Sequence, residues 1–438
     1  MMKPRTALRL AALAGLAAVM AACGGGSGGG AGPTKNTASA PGITPNSISI
    51  GSTQPLTGVA APGYDEIAPA SQAYFKYVNA HGGVYGRKIN YTYLDDGYNP
   101  SETPGLTRQL VLQDNVFAMF SALGTPTHLS VVKYLNTEKV PDLFVSSGCN
   151  CWNKPTTEPY TFGWQPDYTI EGKILGQYVK QHLTGQKVGY FYQDDEFGLD
   201  GVKGLDDQIP SSLIVSRQDY VTTNTDVASQ IAALQQAGAK VVVSFSVPAF
   251  TALALLAAAT LNYHPTWVVS NVGSDPPTLT GLLSSFSKGA AGGTLLAGMV
   301  SDAYLPLVPD SSNAWIKLFK GILHTYAPSL PWDGNVLYGL SQAYTLVQVL
   351  KASGRNPTRA SVLHTLNTVK LTGGPGLVPF GFSQNNHLGY EGAEIIKIGS
   401  DGSSETSISP IYVTGNTGKI TVYHGKVSTP PSGGVPNN

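Results

Sequence analysis

Charge is scarce in this sequence. Lys, Arg, Asp and Glu make up 12% of its 438 residues, and 27 basic side chains balance 27 acidic ones to a net charge of zero. Nucleic-acid binders concentrate basic residues on one face, and nothing along this chain concentrates them, so that class of partner is set aside. The eight histidines are scattered, with no HExxH motif and no pair four residues apart, which leaves a zinc hydrolase without its ligands. No GxSxG elbow closes an apolar strand, and no GxxxxGK[ST] loop is present to cradle a nucleotide phosphate. Past the N-terminus no apolar run approaches the roughly 18 residues that a membrane span needs. Neither an enzyme nor a bound cofactor is expected from these absences.

Cysteine is rarer still, at three. Cys23 stands apart from the other two. It follows a basic start (Lys3, Arg5, Arg9), an apolar core from Leu10 to Met20, and the small residues Ala21 and Ala22. The core is too short to cross a bilayer and reads as a signal peptide over residues 1–22. "VMAAC" resembles the bacterial lipobox, in which the cysteine is lipidated and becomes the mature N-terminus. Acyl chains on Cys23 would anchor the chain, at about 0.8 kcal/mol per buried methylene. The Gly/Ser-rich stretch that follows, through residue 43, cannot offset its ordering entropy by burial and reads as a tether. Cys149 and Cys151 flank Asn150 alone. Outside the cytoplasm such a pair either closes into a small disulfide ring or stays reduced and buried, and no further ligand lies near enough for a metal.

What the chain does have is length and apolar content. Apolar residues make up 42% of 438, enough for cores and too long for one ordinary core, so two lobes are expected. From Asn46 onward, apolar β-rich runs ("SISIGSTQPL", "KINYTYLDD", "VFAMFSAL", "VPDLFVSS") alternate with helical patterns, one of which stops at Gly82-Gly83. The alternation restarts after about Gly163 with "KVGYFYQDD", "AKVVVSFSV" and "TWVVSNV". Strands without polar alternation, separated by helices, imply parallel sheets covered on both faces, hence an α/β fold with two doubly wound lobes.

The runs "IGSTQPLTG", "YVNAHGGVYGRKI", "YLDDGYNP" and "LGTPTHLSVVKYLNTEKVPDLF", in this order, resemble the leucine/isoleucine/valine-binding protein family. These are type I periplasmic binding proteins that serve ABC importers, and the resemblance spans about residues 44–424. It implies two lobes joined by a three-crossover hinge. Lobe one would be 44–165 plus 292–390, lobe two 166–291 plus 391–424, and 425–438 a flexible tail. It also implies a monomer outside the cytoplasm, partnered by a membrane permease and binding a small ligand by hinge closure. A branched-chain or related amino acid is the family default; amides, urea-like molecules and small carboxylates stay open, as does a sensing role.

Site residues follow from the same resemblance. Gly124, Thr125 and Pro126, with Ser146 and Ser147, match the hydroxyl cradle that holds a ligand carboxylate. Thr127 is expected to serve as a helix N-cap. Asp167 matches an acid that receives the α-amino group, although its place before "YTIEGKILGQYV" suits an N-cap equally. In "SNVGSDPPTL", Asn271, Ser274 and Asp275 fall where relatives place a second acid. Tyr64 matches an aromatic at the side-chain pocket, and Phe197 with Phe245 or Phe250 would close it from lobe two. Asp95-Asp96 and Asp194-Asp195-Glu196 read as solvated loops, and His128 as a general base lacks an orienting partner in view.

Overall fold

A computed structural model describes residues 35–371 and 373–437. The signal peptide, Cys23 and most of the tether lie outside the described residues. Among the described residues no helix is long and apolar enough to cross a membrane.

Five strands make the first sheet: β1 (Ser47–Gln54), β2 (Lys88–Asp95), β3 (Ala118–Phe120), β4 (Asp142–Leu143) and β5 (Thr161–Phe162). All are parallel, in the order β2-β1-β3-β4-β5. The second sheet holds β6 (Val188–Gln193), β7 (Ile214–Tyr220), β8 (Val241–Phe245), β9 (Thr266–Val269) and β10 (Val300–Ala303). These pair in parallel as β7-β6-β8-β9-β10, the same order as the first sheet. Central strands such as β8, "VVVSF", are buried along their whole length, which is why they carry no alternation. β11 (Gly392–Ile398) then adds antiparallel to β10, followed by β12 (Glu405–Ser407), β13 (Tyr412–Val413) and β14 (Thr421–Val422). The second sheet is therefore mixed, with a parallel core.

Helices cover each sheet. In lobe one, Ile67–Ala80 packs on Gly334–Ala352 and Ala314–Tyr326. In lobe two, Tyr168–His182 lies against Glu196–Gln208 at backbone distance. A Cβ on Gly204 would stand 2.2 Å from the Thr169 carbonyl, and one on Gly172 2.3 Å from that of Gly201. Only glycine lets the two helices approach so closely.

The chain passes between lobes at residues 163–167, after Ala303, and before β11. These passages are stitched together by backbone bonds. Gly163 N–H donates to His387 O at 3.0 Å, Tyr390 N–H to Trp164 O at 2.9 Å, and Leu377 N–H to Tyr304 O at 2.9 Å. Edge-on contacts of Trp164 with Tyr304, Tyr338 and Tyr390 pack the same region.

Two expected boundaries move. β10 was expected in lobe one, whose second segment was placed from residue 292. It belongs to the second sheet, because Val300 pairs with Val268 and Val300–Ala303 pairs with Lys397–Glu394. Nor is the tail a free end. Trp315 Nε1–H donates to Ser428 O at 2.9 Å and the Tyr74 hydroxyl to Gly434 O at 2.9 Å, so the described tail returns to lobe one. Cys149 and Cys151 are joined by a disulfide, with Cα atoms 5.0 Å apart.

Candidate functional site

A cavity of about 150 Å³ lies between the lobes, roughly ten times the room one water needs. It sits beyond the carboxyl ends of the parallel strands, where open α/β sheets hold their ligands. Lobe one contributes Tyr64, Tyr98, Leu123, Gly124, Thr125 and Ser146; lobe two contributes Phe197, Val247, Asn271, Val272, Asp275 and Asp302. Gln165, Tyr168, Tyr304 and Tyr338 close it near the hinge. The walls are mainly rings and aliphatic groups with few polar atoms, the usual composition of a small-molecule site.

The loop after β3 explains the first wall. Gly124 has φ 108°, and a Cβ there would stand 2.4 Å from Thr127 Oγ1 and 2.7 Å from Tyr98 Cε2. This left-handed turn lets Thr125 start a short helix beside the cavity. Thr125 Oγ1 shares a hydrogen bond with Ser147 Oγ at 2.7 Å. Ser146 Oγ lies 2.8 Å from Ser121 Oγ and donates to Gln342 Oε1 at 3.2 Å. Thr127 is not the cap: it stands three residues into the helix and its hydroxyl donates to Leu123 O at 2.7 Å. The cap position is taken by Gly124.

Tyr64, Gly124, Thr125, Ser146, Phe197, Asn271 and Asp275 line the cavity, while Pro126, Ser147, Asp167 and Phe245 do not. Asp167 caps the helix Tyr168–His182 through Thr169 N–H at 2.7 Å and is buried. Burial, and then the Asp200 charge, raise its carboxyl to about 7. Phe245 packs edge-on to Tyr168 and Phe197 behind the wall, and Phe250 stacks on Tyr220. His128 does have an orienting acid, Asp142 Oδ2 at 2.7 Å, which also accepts from Thr161 Oγ1, but the pair is buried away from the cavity.

Asp275 faces the cavity, yet both its oxygens are occupied. Oδ2 accepts from Thr278 N–H at 3.0 Å and Thr278 Oγ1–H at 2.7 Å, capping Pro276–Phe286. Oδ1 accepts from Gly334 N–H at 2.9 Å, the first residue of a lobe-one helix. Further bonds cross the cleft, among them the Tyr64 hydroxyl to Val272 O at 3.1 Å and Asn335 Nδ2–H to Thr278 Oγ1 at 3.1 Å. The lobes are thus latched over the cavity.

Sequence reasoning missed Glu171 and Asp302. Asn271 N–H donates to both, to Glu171 Oε1 at 2.8 Å and to Asp302 Oδ1 at 3.2 Å, and Asp302 lines the cavity. Glu171 lies in the first turn of its helix and Asp302 in a four-residue strand, so no local motif marks either.

Comparison with known proteins agrees with this architecture. A family model described as periplasmic binding protein matches residues 47–403. The Leu/Ile/Val-binding protein homolog 7 of Brucella suis biovar 1 is 25% identical over 356 residues, covering 77% of this chain and 86% of the relative. A fatty acid ABC transporter substrate-binding protein from Thermomonospora curvata shares the fold at TM-score 0.71 and 22% identity, covering 86% and 95% of the two chains. So does a branched chain amino acid ABC transporter from Thermus thermophilus with bound valine, at TM-score 0.71 and 19% identity, covering 85% and 97%. The chain belongs to the type I periplasmic binding proteins, in the Leu/Ile/Val-binding family, and is a binding protein rather than an enzyme.

Proposed function

We propose that this chain captures a small amino-bearing solute, a branched-chain amino acid or a close relative, and delivers it to an ABC permease. A lipid on Cys23 would hold it at the outer face of the cell membrane, with the Gly/Ser-rich stretch as its leash. The observation that carries this reading is the latched cavity: a ring-lined space with few polar atoms, spanned by Asp275–Gly334 and Tyr64–Val272. Burying an aliphatic side chain of leucine size in such walls contributes about 1.5–3 kcal/mol. Thr125 and Ser146 offer hydroxyls on one side and Asn271 an amide on the other.

Capture then needs no chemistry. The open form admits the ligand to lobe one, and rotation about the stitched crossovers brings Asn271 and Phe197 over it. The ligand shifts the population toward closure by the contacts it makes only in the closed form. One relative of this fold is described with valine and another as a fatty acid transporter component, so a screen has to span both chemistries. The test is a thermal-shift screen against amino acids, amides and organic acids, with hits repeated on Thr125→Ala. A hit that the substitution abolishes supports the reading; stabilisation that survives unchanged places the ligand elsewhere.

A further inference from the structure

Most polar hydrogens at the cavity are spent on the protein itself. The Tyr64 hydroxyl donates to Val272 O, Ser146 Oγ to Gln342 Oε1, and Asn271 Nδ2–H to Asp302 Oδ2. Thr125 and Ser147 share one bond, which leaves a single O–H between them. The unspent donors gather on the wall near the hinge. Among the described residues, the Tyr168 hydroxyl, the Tyr304 hydroxyl and Gln165 Nε2 donate to no protein group. Their residues line the cavity and are 4%, 5% and 7% exposed. The three atoms are unpartnered yet not sealed in protein, so they open on the cavity.

A relay fixes which way Gln165 faces. Phe144 O can only accept, so the Gln342 atom 3.1 Å from it is Nε2. The other hydrogen of that nitrogen goes to the Tyr338 oxygen at 2.8 Å, and the Tyr338 O–H goes to Gln165 at 2.8 Å. The atom accepting there is Oε1, which leaves the Gln165 NH2 as a pure donor. Burial raises the Tyr168 and Tyr304 hydroxyls above the usual phenol range, so both keep their protons. Such a wall suits a group that only accepts, and a carboxylate is one. A carboxamide would turn its own NH2 toward that of Gln165, and an ammonium would find the Gln165 carbonyl taken. No Lys, Arg or His among the described residues lines the cavity. Neutral donors are therefore what a carboxylate meets, through hydrogen bonds of the charge-assisted, stronger kind.

We propose that Gln165, Tyr168 and Tyr304 receive the ligand's carboxylate, completing from the hinge side the cradle that Thr125 begins, and that they make the protein selective for carboxylates. This rests on the cavity being the ligand site. Gln165 lies in the first passage between the lobes and Tyr168 directly after it, with Tyr168 N–H donating to Gly148 O at 2.7 Å. The phenols and the amide come from segments that no run of hydroxyl residues marks.

The test is calorimetric titration of the full chain with L-leucine, L-leucinamide and 3-methylbutylamine, which share a side chain and differ at the carboxyl position. Leucine is expected to bind at least about tenfold tighter than either, the factor that one hydrogen bond to a charged group supplies. Tyr168→Phe and Tyr304→Phe remove a hydroxyl that bonds to no protein group, and Gln165→Met keeps the chain length. Each is expected to weaken leucine by about tenfold and to leave leucinamide and 3-methylbutylamine unchanged. A loss that falls on all three probes alike would mark a packing role and overturn the assignment. Leucine affinity unchanged in one variant strikes that residue from the cradle; unchanged in all three, it overturns the proposal while leaving the capture role standing. Leucinamide or 3-methylbutylamine equalling leucine on the unaltered chain would do the same. Binding of none of the probes would sink both the proposal and the reading on which it rests. If one variant fails to fold, the other two and the ranking on the unaltered chain still decide.

Discussion

Asp275 carries two loads, and one substitution separates them. Its Oδ2 caps Pro276–Phe286 within lobe two, and its Oδ1 holds Gly334 N–H of lobe one at 2.9 Å. Asp275→Ser keeps a good cap, since Ser ranks with Asp at that position. Its shorter hydroxyl cannot also reach Gly334. Burial, followed by the Asp333 charge, raises the Asp275 carboxyl to about 6, so at pH 7.5 the latch is an ionised acceptor. A hydrogen bond to a charged group contributes about 1.5–3 kcal/mol. Only the closed form makes this one, so its loss moves the open–closed equilibrium by roughly ten- to a hundred-and-fifty-fold. Ligand affinity falls by the same factor if the free protein is mainly open. Spin labels on Leu112→Cys and Leu199→Cys, exposed positions on the two lobes, would report the distance distribution by pulsed electron resonance. Asp275→Ser should broaden it toward longer distances and weaken binding together. An unchanged distribution with unchanged affinity would refute the latch.

Stability should also fall as pH rises. Burial and the neighbouring Asp333 raise the Glu66 carboxyl from 4.5 to about 9, so between those values the folded chain keeps a proton that the unfolded chain releases. Melting curves from pH 5 to 9 should show a declining Tm, and Glu66→Gln should flatten the decline; a Tm that rises over this range contradicts the assignment. Gly124→Ala puts a methyl against Thr127 and Tyr98 at a positive φ, a strain of about 1–3 kcal/mol; urea titration should show that loss and ligand titration a weakened site. The disulfide loop also bridges the lobes, Asn150 N–H donating to Asp200 Oδ2 at 2.8 Å and Asn150 Oδ1 accepting from Asn416 Nδ2–H at 2.8 Å. Reduction, or Cys151→Ser, should speed amide exchange at residues 148–152 and across the cleft, and protection that is unaffected would show that the loop holds its shape without the bond.

Much of the fold was legible because it is written in short periods. Mainly apolar runs without polar alternation, such as β6 and β8, are buried on both faces and read as inner strands. Gly82 and Gly83, both at positive φ, end the helix Ile67–Ala80 where the sequence says they should. β10 was misplaced because four residues carry no period, and its sheet is fixed by pairing with Lys397–Glu394 nearly a hundred positions away.

The site divides along the same line. The sequence by itself determined that a glycine turn and Thr125 would stand at the end of the third strand, since a left-handed residue followed by a helix start is a local matter. The family resemblance put Asn271 and Asp275 only in the region of a second acid, and whether Asp275 faces the cleft was decided by the fold, in which both line the cavity. What it left open was the use of each acid. Asp167 was equally fit to cap a helix or to meet an ammonium group, Asp275 was read only as a second acid, and Glu171 carried no signal at all. Tertiary structure decided among them by bringing Gly334 to Asp275 across 59 positions and Asn271 to Glu171 across 100. A carboxylate's role is set by which donors reach it, and donors from distant segments arrive only when the chain has folded.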